Sequence, residues 1–180
     1  MLPTRIFLTG FMGSGKTTIG PALAERLGYG FTDLDDLIEQ RAGKPIPVLF
    51  AEEGEPAFRK LEAELLREAT GWERVVVALG GGALTVEENL QRAREAGTVV
   101  YLRVPLDQLT KRLLAIGTGR PLLMGSEGRP LDASGLRRRV AFLIGAREPF
   151  YSRAQVTVDV GEMGPEETVE AVVRAVGSLQ

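Results

Sequence analysis

The 180-residue chain contains no cysteine and no histidine. Without cysteine it can form no disulfide, no thiolate nucleophile and no cysteine-ligated metal site. Without histidine it has no imidazole for acid–base catalysis, so proton transfer must fall to Asp, Glu, Lys or Tyr.

Long apolar runs and excess charge of one sign are also missing. No apolar run approaches the roughly 20 residues that a membrane-spanning helix needs, and the first residues lack the basic start and apolar stretch of a signal peptide. The net charge is −2, so no basic field attracts nucleic acid. The dense basic run Arg137-Arg138-Arg139 is interpreted as a solvated helix face. We expect a cytoplasmic protein that binds neither membranes nor nucleic acid.

Strand-like and helix-like patterns alternate along the whole chain, and its length suits one domain of 1–180. Alternation of this kind predicts a parallel sheet with helices on both faces, and such sheets bind ligands outside the carboxyl ends of their strands. The predicted strands are 5–9, 30–33, 74–79, 98–104 and 155–160. The predicted helices are 17–27, 34–41, 47–50, 55–69, 86–95, 106–114, 133–147 and 165–179. Residues 116–132 lack periodicity and are rich in Gly, Pro and Arg, which predicts a mobile loop.

The strongest motif follows the first predicted strand, where residues 10–17 read GFMGSGKT. This matches the phosphate-binding loop G-x-x-x-x-G-K-[ST] at every fixed position. Glycines turn backbone N–H groups inward, and the following helix adds a partial positive charge. Lys16 is expected to reach the β- and γ-phosphates, and the Thr17 hydroxyl to ligate Mg²⁺. The nucleotide-binding residues are predicted to be Gly13, Ser14, Gly15, Lys16, Thr17 and Thr18.

Two carboxylates, Asp33 and Asp35, follow the second strand beside this loop. One is placed to help hold Mg²⁺ through water, and the other to face an acceptor hydroxyl and take its proton. The competing interpretation is that Asp33 caps a helix and Asp35 lies favourably in its first turn.

Three glycines, Gly80, Gly81 and Gly82, directly follow the third strand. Glycine there is entropically costly, and it makes sense if a ligand approaches the backbone and accepts hydrogen bonds from N–H groups. The alternative is a loose turn without a ligand.

Several arginines are candidate anion ligands. Arg59 and Arg147 would mark a carboxylate or second phosphate on the acceptor if they converged, since guanidinium groups bind such groups bidentately. Exposed ion pairs with neighbouring Glu are the alternative. Arg120 or Arg129 could cover the transferring phosphate when the loop closes, or lie on the surface. Arg112 could stack on adenine or simply be solvated.

Together these segments resemble a shikimate kinase. The resemblance covers nearly the whole chain and rests on an ordered set of segments: the phosphate loop, residues 31–35 (FTDLD), 54–59 (GEPAFR), the glycine triplet, 120–123 (RPLL) and 147–151 (REPFY). It implies a three-layer P-loop fold of the nucleoside-monophosphate-kinase type, with a five-stranded parallel sheet in order 2-3-1-4-5, acceptor-side helices at about 34–62 and a mobile lid at about 116–132. We also expect a monomer.

The resemblance further implies an activity and residue roles. The enzyme would transfer the γ-phosphate of ATP to the 3-hydroxyl of shikimate, in the pathway to chorismate and aromatic amino acids. Asp35 would bind the acceptor hydroxyls and take the proton, Thr17 would ligate Mg²⁺ with Asp33 assisting through water, and Lys16 would stabilise the transferred phosphate. The shikimate carboxylate would be held by Arg59 and Arg147, with Gly81 in backbone contact. The family pattern RPLL selects Arg120 over Arg129 as the second cation on the phosphate.

One departure from the family pattern concerns the loop after the last strand. Several members carry a basic residue there near adenine, whereas residues 161–164 here read GEMG. Two alternative functions remain: another small-molecule kinase of this architecture, such as a gluconate or nucleotide kinase, and a nucleotide-binding module without catalysis. The second would be expected to lose Asp35, Arg59 and Arg147, which this chain retains.

Overall fold

The computed structural model describes residues 2–116, 123, 129 and 131–179. Within these residues the strands are β1 (Arg5–Thr9), β2 (Gly30–Asp33), β3 (Val75–Ala78), β4 (Thr98–Arg103) and β5 (Val156–Asp159). All neighbouring strands pair in parallel, and they form a five-stranded sheet in the order β2-β3-β1-β4-β5. The predicted sheet and its strand order are confirmed.

The helices fill the connections between strands. They are α1 (Lys16–Leu27), α2 (Leu34–Ala42), α3 (Ile46–Ala69), α4 (Glu87–Ala96), α5 (Leu106–Ile116), α6 (Ala133–Tyr151) and α7 (Pro165–Gly177), with a 3₁₀ turn at Ala83–Thr85. Within the described ranges, no helix combines the length and apolar character that crossing a bilayer requires.

The sheet carries a hydrophobic core on each face because side chains alternate along a strand. In β1, Ile6 and Leu8 enter one core with α1, α5, α6 and α7. Phe7, between them, enters the other core with α2, α3 and α4. All three side chains are fully buried, as expected for strands covered by helices on both sides.

The break between the predicted helices 47–50 and 55–69 is confirmed: within α3 the backbone leaves helical geometry at Gly54 (φ 80°, ψ 172°), where two helices meet at a kink. Another helix differs from the prediction. Helix α6 continues past the predicted end at residue 147, through Pro149, to Tyr151. The backbone N–H of Ser152 still bonds to the Glu148 carbonyl, so the proline removes one hydrogen bond without ending the helix. This extension carries Tyr151 into the core.

The predicted solvated face of α6 is confirmed: Arg137, Arg138 and Arg139 are all exposed. Arg137 pairs with Asp107 on α5 at 2.9 Å, and Arg138 donates to the Ser134 hydroxyl. Most of the predicted lid, including Arg120, lies outside the described residues, so that prediction has no structural counterpart here. Leu123, from the same segment, is buried in the core with α5 and α6.

Candidate active site

The phosphate-loop sequence forms the turn between β1 and α1. Gly15 precedes the helix with φ 100°, a left-handed conformation that favours glycine. Its carbonyl accepts from the N–H groups of Thr18 and Ile19 at 3.0 and 2.8 Å, which begins the helix. The Lys16 ammonium folds back over the loop and donates to the carbonyls of Gly10 and Phe11 at 2.8 and 3.2 Å. The loop therefore presents a helix N-terminus and a lysine, the parts of an anion site.

A cavity of about 580 Å³ opens over this loop. One wall is the loop itself, and another is formed by Asp33, Asp35, Gly80 and Gly81 at the ends of β2 and β3. The remaining lining comes from α5, from the segment after β5 and from the start of α7, including Arg112, Ile116, Val160, Met163, Pro165 and Thr168. The cavity thus lies at the carboxyl edge of the sheet, as predicted.

Asp33 caps α2, as one of its two sequence interpretations expected, and it also faces the phosphate loop. Its Oδ1 accepts from the backbone N–H of Asp35 at 3.0 Å and caps α2. Its Oδ2 accepts from the Thr17 hydroxyl at 3.4 Å, so the carboxylate also faces the phosphate loop. Burial raises the pKa of Asp33, against the lowering effects of the Asp35 N–H and of Lys16. A cation at this position would favour the ionised carboxylate.

Asp35 lies in the first turn of α2 and lines the same cavity. Its Oδ1 is so close to Gly80 that a β-carbon on that glycine would stand 2.9 Å from it. The helix N-terminus favours negative charge at this position. Asp35 therefore faces both the glycine triplet and the space over the phosphate loop.

The two arginines proposed as acceptor ligands meet the triplet next to Asp35. A β-carbon on Gly81 would stand 3.1 Å from Arg147 Nη1, and one on Gly82 would stand 2.8 Å from Arg59 Nη2. Arg147 comes from α6 and Arg59 from α3. Neither residue lines the cavity over the phosphate loop. The triplet therefore brings together a carboxylate and two guanidinium groups that are far apart in the chain. The close approach that requires glycine is made by the protein's own side chains.

Glu62 interacts with the other charged members of this cluster, which are Asp35, Arg59 and Arg147. Its side chain is 1% exposed, and Oε2 accepts from Arg59 Nη1 at 2.7 Å. Burial raises the pKa of Glu62 and outweighs the lowering effect of Arg59, while Asp35 raises it further and Arg147 lowers it. Oε1 is buried without a hydrogen-bond partner in the described part of the chain. A β-carbon on Gly80 would stand 3.2 Å from that oxygen. Glu62 thus orients Arg59 toward the triplet.

Arg59 also forms the local ion pair that the sequence offered as its alternative role. Its Nε donates to Glu55 Oε1 at 3.2 Å, and its guanidinium lies 5.1 Å from the Phe58 ring centroid. Arg147 similarly lies 5.5 Å from the Phe11 ring centroid. Flat contacts of this kind leave the edge of a guanidinium available for a carboxylate.

Two members of the cluster, Glu62 and Tyr151, were missed from the sequence. Glu62 follows Phe58 by four residues and precedes Leu65 and Leu66 on the buried face of α3. A carboxylate at a core position is rare unless it is paired. The apolar periodicity of this helix already placed Glu62 on its buried face and could have indicated a charged partner. Tyr151 was hidden because the helix was expected to end before Pro149.

The other predicted nucleotide-side residues are partly described. Arg112 lines the cavity and donates from Nη1 to the Gly13 carbonyl at 3.2 Å, so it contacts the phosphate loop. In the segment after β5, which lacks a basic residue, Met163 supplies an apolar contact surface to the same cavity. Arg120 lies outside the described residues, and Arg129 is exposed.

A phosphate loop between β1 and α1, a 2-3-1-4-5 sheet and a charged acceptor-side cluster define a P-loop kinase. The shikimate kinase family model matches residues 12–177. The chain belongs to the shikimate kinase family.

Individual relatives and solved structures agree with this assignment. A shikimate kinase from Chlorobium luteolum is 47% identical over 174 residues, covering 97% of this chain and 86% of that protein. The solved shikimate kinase from Bacteroides thetaiotaomicron is 36% identical with a TM-score of 0.87, over 97% of this chain and 99% of that one. The shikimate kinase from Acinetobacter baumannii, solved in complex with shikimate, is 33% identical with a TM-score of 0.86, over 98% and 96%.

Proposed function

We propose that this enzyme transfers the γ-phosphate of ATP to the 3-hydroxyl of shikimate, forming shikimate 3-phosphate and ADP, in the pathway to chorismate and aromatic amino acids. The observation that carries the proposal is the convergence at the glycine triplet. Asp35 stands beside Gly80, Arg147 beside Gly81 and Arg59 beside Gly82. Asp35 also lines the cavity over the phosphate loop, so an acceptor bound here would face the nucleotide.

On the nucleotide side, the proposal assigns the phosphates to the loop residues Gly13 to Thr18 and to the N-terminus of α1. Lys16 neutralises charge on the transferred group. In the structure the Lys16 ammonium donates to the carbonyls of Gly10 and Phe11, which belong to the same loop that would hold the phosphates. Arg112 and Met163 are proposed to contact the base, which is supported by their place in the cavity wall.

Mg²⁺ is the metal that these residues suit. The Thr17 hydroxyl and the Asp33 carboxylate stand 3.4 Å apart, and the described ranges contain no set of three or more His, Cys, Asp or Glu side chains arranged to hold a metal ion by themselves. Mg²⁺ is typically held by one or two protein oxygens together with waters and substrate phosphates. Bound there, it would neutralise charge on the β- and γ-phosphates.

On the acceptor side, Arg59 and Arg147 are proposed to bind the shikimate carboxylate, with the triplet in backbone contact. The 3-hydroxyl oxygen attacks the γ-phosphorus, the bond from that phosphorus to the β–γ bridging oxygen breaks, and the hydroxyl proton passes to the Asp35 carboxylate. Arg120 is proposed to cover the transferred phosphate. Positioning and charge neutralisation supply most of the catalysis in such transfers.

We also propose that residues 1–180 act as one kinase domain and as a monomer, with acceptor-side helices at about 34–62 and a lid at about 116–132. The described strands form one five-stranded sheet, which supports a single domain. Light scattering of the active enzyme tests the monomer; activity confined to a dimer would contradict it.

The decisive experiment is coupled ADP release by the purified enzyme, with shikimate, gluconate or a nucleoside monophosphate as acceptor, in the presence and absence of Mg²⁺. We expect Mg²⁺-dependent turnover on shikimate and formation of shikimate 3-phosphate. Turnover on gluconate but not shikimate would favour the second kinase assignment. ATP binding without transfer to any of these acceptors would favour a non-catalytic nucleotide-binding module.

A further inference from the structure

We infer that Tyr151 is a positioning residue of the acceptor site, and that its hydroxyl fixes the Gly81 peptide and the Arg147 guanidinium relative to each other. The inference rests on the proposed function, because both groups are assigned there to the acceptor.

The Tyr151 hydroxyl lies between these two groups. Tyr151 is the last residue of α6, one turn after Arg147, and it is 1% exposed. Its hydroxyl donates to the Gly81 carbonyl at 2.5 Å. Burial raises its pKa, and the positive charge of the nearby Arg147 opposes that rise. A β-carbon on Gly81 would stand 3.1 Å from Arg147 Nη1 and 3.5 Å from the Tyr151 hydroxyl. One hydroxyl thus joins α6 to the loop after β3.

This hydrogen bond orients the part of the backbone that would meet the substrate. The Gly80 carbonyl accepts from the Ala83 N–H, and the Gly82 carbonyl accepts from the Thr85 N–H and hydroxyl. Tyr151 supplies the donor to the carbonyl between them. In a trans peptide the N–H points opposite to the carbonyl, so fixing the Gly81 carbonyl also fixes the direction of the Gly82 N–H.

The tyrosine ring packs in the core independently of the hydroxyl, so a substitution can remove the hydroxyl and keep the ring. The ring stacks on Tyr101 of β4 with centroids 5.0 Å apart, and Tyr101 donates to Glu148 at 2.7 Å. Burial raises the pKa of Tyr151 to about 12, so the hydroxyl keeps its proton at neutral pH and remains a donor to Gly81. Phenylalanine at this position would keep the ring contact and remove the hydroxyl, which bonds the Gly81 carbonyl and stands beside Arg147 at Gly81.

The test compares Tyr151→Phe with Tyr29→Phe. Tyr29 is a matched control because its hydroxyl also donates to a backbone carbonyl, that of Pro3 at 3.1 Å, outside the site. For Tyr151→Phe we expect kcat/KM for shikimate to fall about 10- to 100-fold, the range associated with misplacing substrate-positioning groups. The KM for ATP should stay within about twofold, since the hydrogen bond that is removed goes to the Gly81 carbonyl and not to residues 13–18 of the phosphate loop. Tyr29→Phe should leave both constants unchanged.

A second measurement asks whether Tyr151 acts through Arg147. Shikimate affinity is measured by calorimetry for Tyr151→Phe, Arg147→Ala and the double variant. We expect the fold-loss of shikimate affinity in the double variant to be smaller than the product of the two single fold-losses. The reason is that without Arg147 the Tyr151 hydroxyl has lost one of the groups that it positions. Losses that multiply fully would overturn the inference.

The outcomes separate the inference from the function on which it rests. If the wild-type enzyme and Tyr29→Phe do not phosphorylate shikimate, the proposed function fails. If both are active and Tyr151→Phe matches them in every constant, the function stands and the inference is wrong. A lower melting temperature with an unchanged KM for shikimate would assign Tyr151 a purely structural role and would also overturn it.

Discussion

Three carboxylates stand at the acceptor edge of the sheet, and their surroundings give each a different role. Asp33 caps α2 and faces the Thr17 hydroxyl. Asp35 lines the open cavity beside Gly80. Glu62 is buried behind the triplet, where Arg59 holds one of its oxygens. Only Asp35 among these three combines proximity to the triplet with access to the cavity, which is what a proton acceptor for a bound hydroxyl requires.

At the residue scale, Asp35→Asn should reduce kcat with shikimate by about 10²-fold or more, the lower end of the range for general acid–base groups. The amide cannot take the hydroxyl proton. Steady-state kinetics with both substrates provides the measurement, and the KM for ATP should change little.

Asp36→Asn is the matched control, since Asp36 lies in the same turn of α2 but is exposed. It should retain wild-type kcat. If Asp35→Asn also retains it, Asp35 serves α2 as a first-turn acid and not as the catalytic base.

Glu62→Gln should change how stability depends on pH. Burial raises the pKa of Glu62 above its ordinary 4.5, so between that pH and the raised pKa the folded state binds more protons than the unfolded state. The contribution of Glu62 to the free energy of unfolding therefore falls as pH rises through this window. The wild-type minus Glu62→Gln difference, from urea unfolding at about pH 4 to about pH 8, should decrease and then level off.

For Glu68→Gln we expect the opposite pH dependence of the difference in unfolding free energy. The hydrogen bond from Arg41 lowers the pKa of Glu68, so its contribution is present above about 4.5 and is lost as pH falls through the lower folded pKa. The wild-type minus variant difference should rise with pH. A flat or rising difference for Glu62→Gln would show that burial does not control the Glu62 pKa.

At the scale of elements, the part of α3 after its kink serves two purposes. The segment after Gly54 presents Arg59 and Glu62 to the triplet, while Phe58, Leu65 and Leu66 anchor it in the core. The kink sets the direction of this segment. Its φ of 80° and ψ of 172° lie in a region that is essentially restricted to glycine.

Gly54→Ala should therefore lower the free energy of unfolding by about 1–3 kcal/mol, the cost of holding a side-chain-bearing residue in that region. Denaturant unfolding gives the value. Gly145→Ala is the control, because Gly145 lies inside α6 and a β-carbon there meets nothing within 4 Å. That variant should gain about 0.5–1 kcal/mol from helix propensity. Equal effects of the two substitutions would contradict a special backbone requirement at Gly54.

At the scale of the whole molecule, the proposed acceptor site depends on three elements meeting at one loop. Helix α2 brings Asp35, α3 brings Arg59 and α6 brings Arg147 to the glycines after β3. Strand β3 lies next to β1 in the sheet, which places the triplet beside the phosphate loop. The sheet order thus sets the distance between acceptor and nucleotide.

Arg59→Ala tests this convergence. It should raise the KM for shikimate about 10- to 100-fold, equivalent to the roughly 1.5–3 kcal/mol of a hydrogen bond to a charged group, and leave the KM for ATP nearly intact. Glu55→Ala removes the exposed partner of Arg59 and should leave both constants close to wild type. An unchanged KM for shikimate in Arg59→Ala would remove this arginine from the acceptor site.

Local patterns in the sequence were sufficient for the sheet, its helical layers and the phosphate loop. Each depends on residues close together in the chain: alternating apolar segments for the strands, and glycines, lysine and threonine at fixed spacing for the loop. The break at Gly54 was also predicted. The helix boundary before Pro149 was wrong, because packing of Tyr151 in the core outweighs the local preference of proline to end a helix.

By itself, then, the sequence determined the class of fold and the position of the phosphate loop, and it identified the charged residues proposed for the acceptor. Only the tertiary structure decided that Arg59 and Arg147 flank one triplet, that Asp33 both caps a helix and faces Thr17, and that Glu62 and Tyr151 belong to the cluster. The reason is physical: these contacts join residues from different elements, and burial, which sets the pKa of Glu62 and Tyr151, exists only once the helices pack on the sheet.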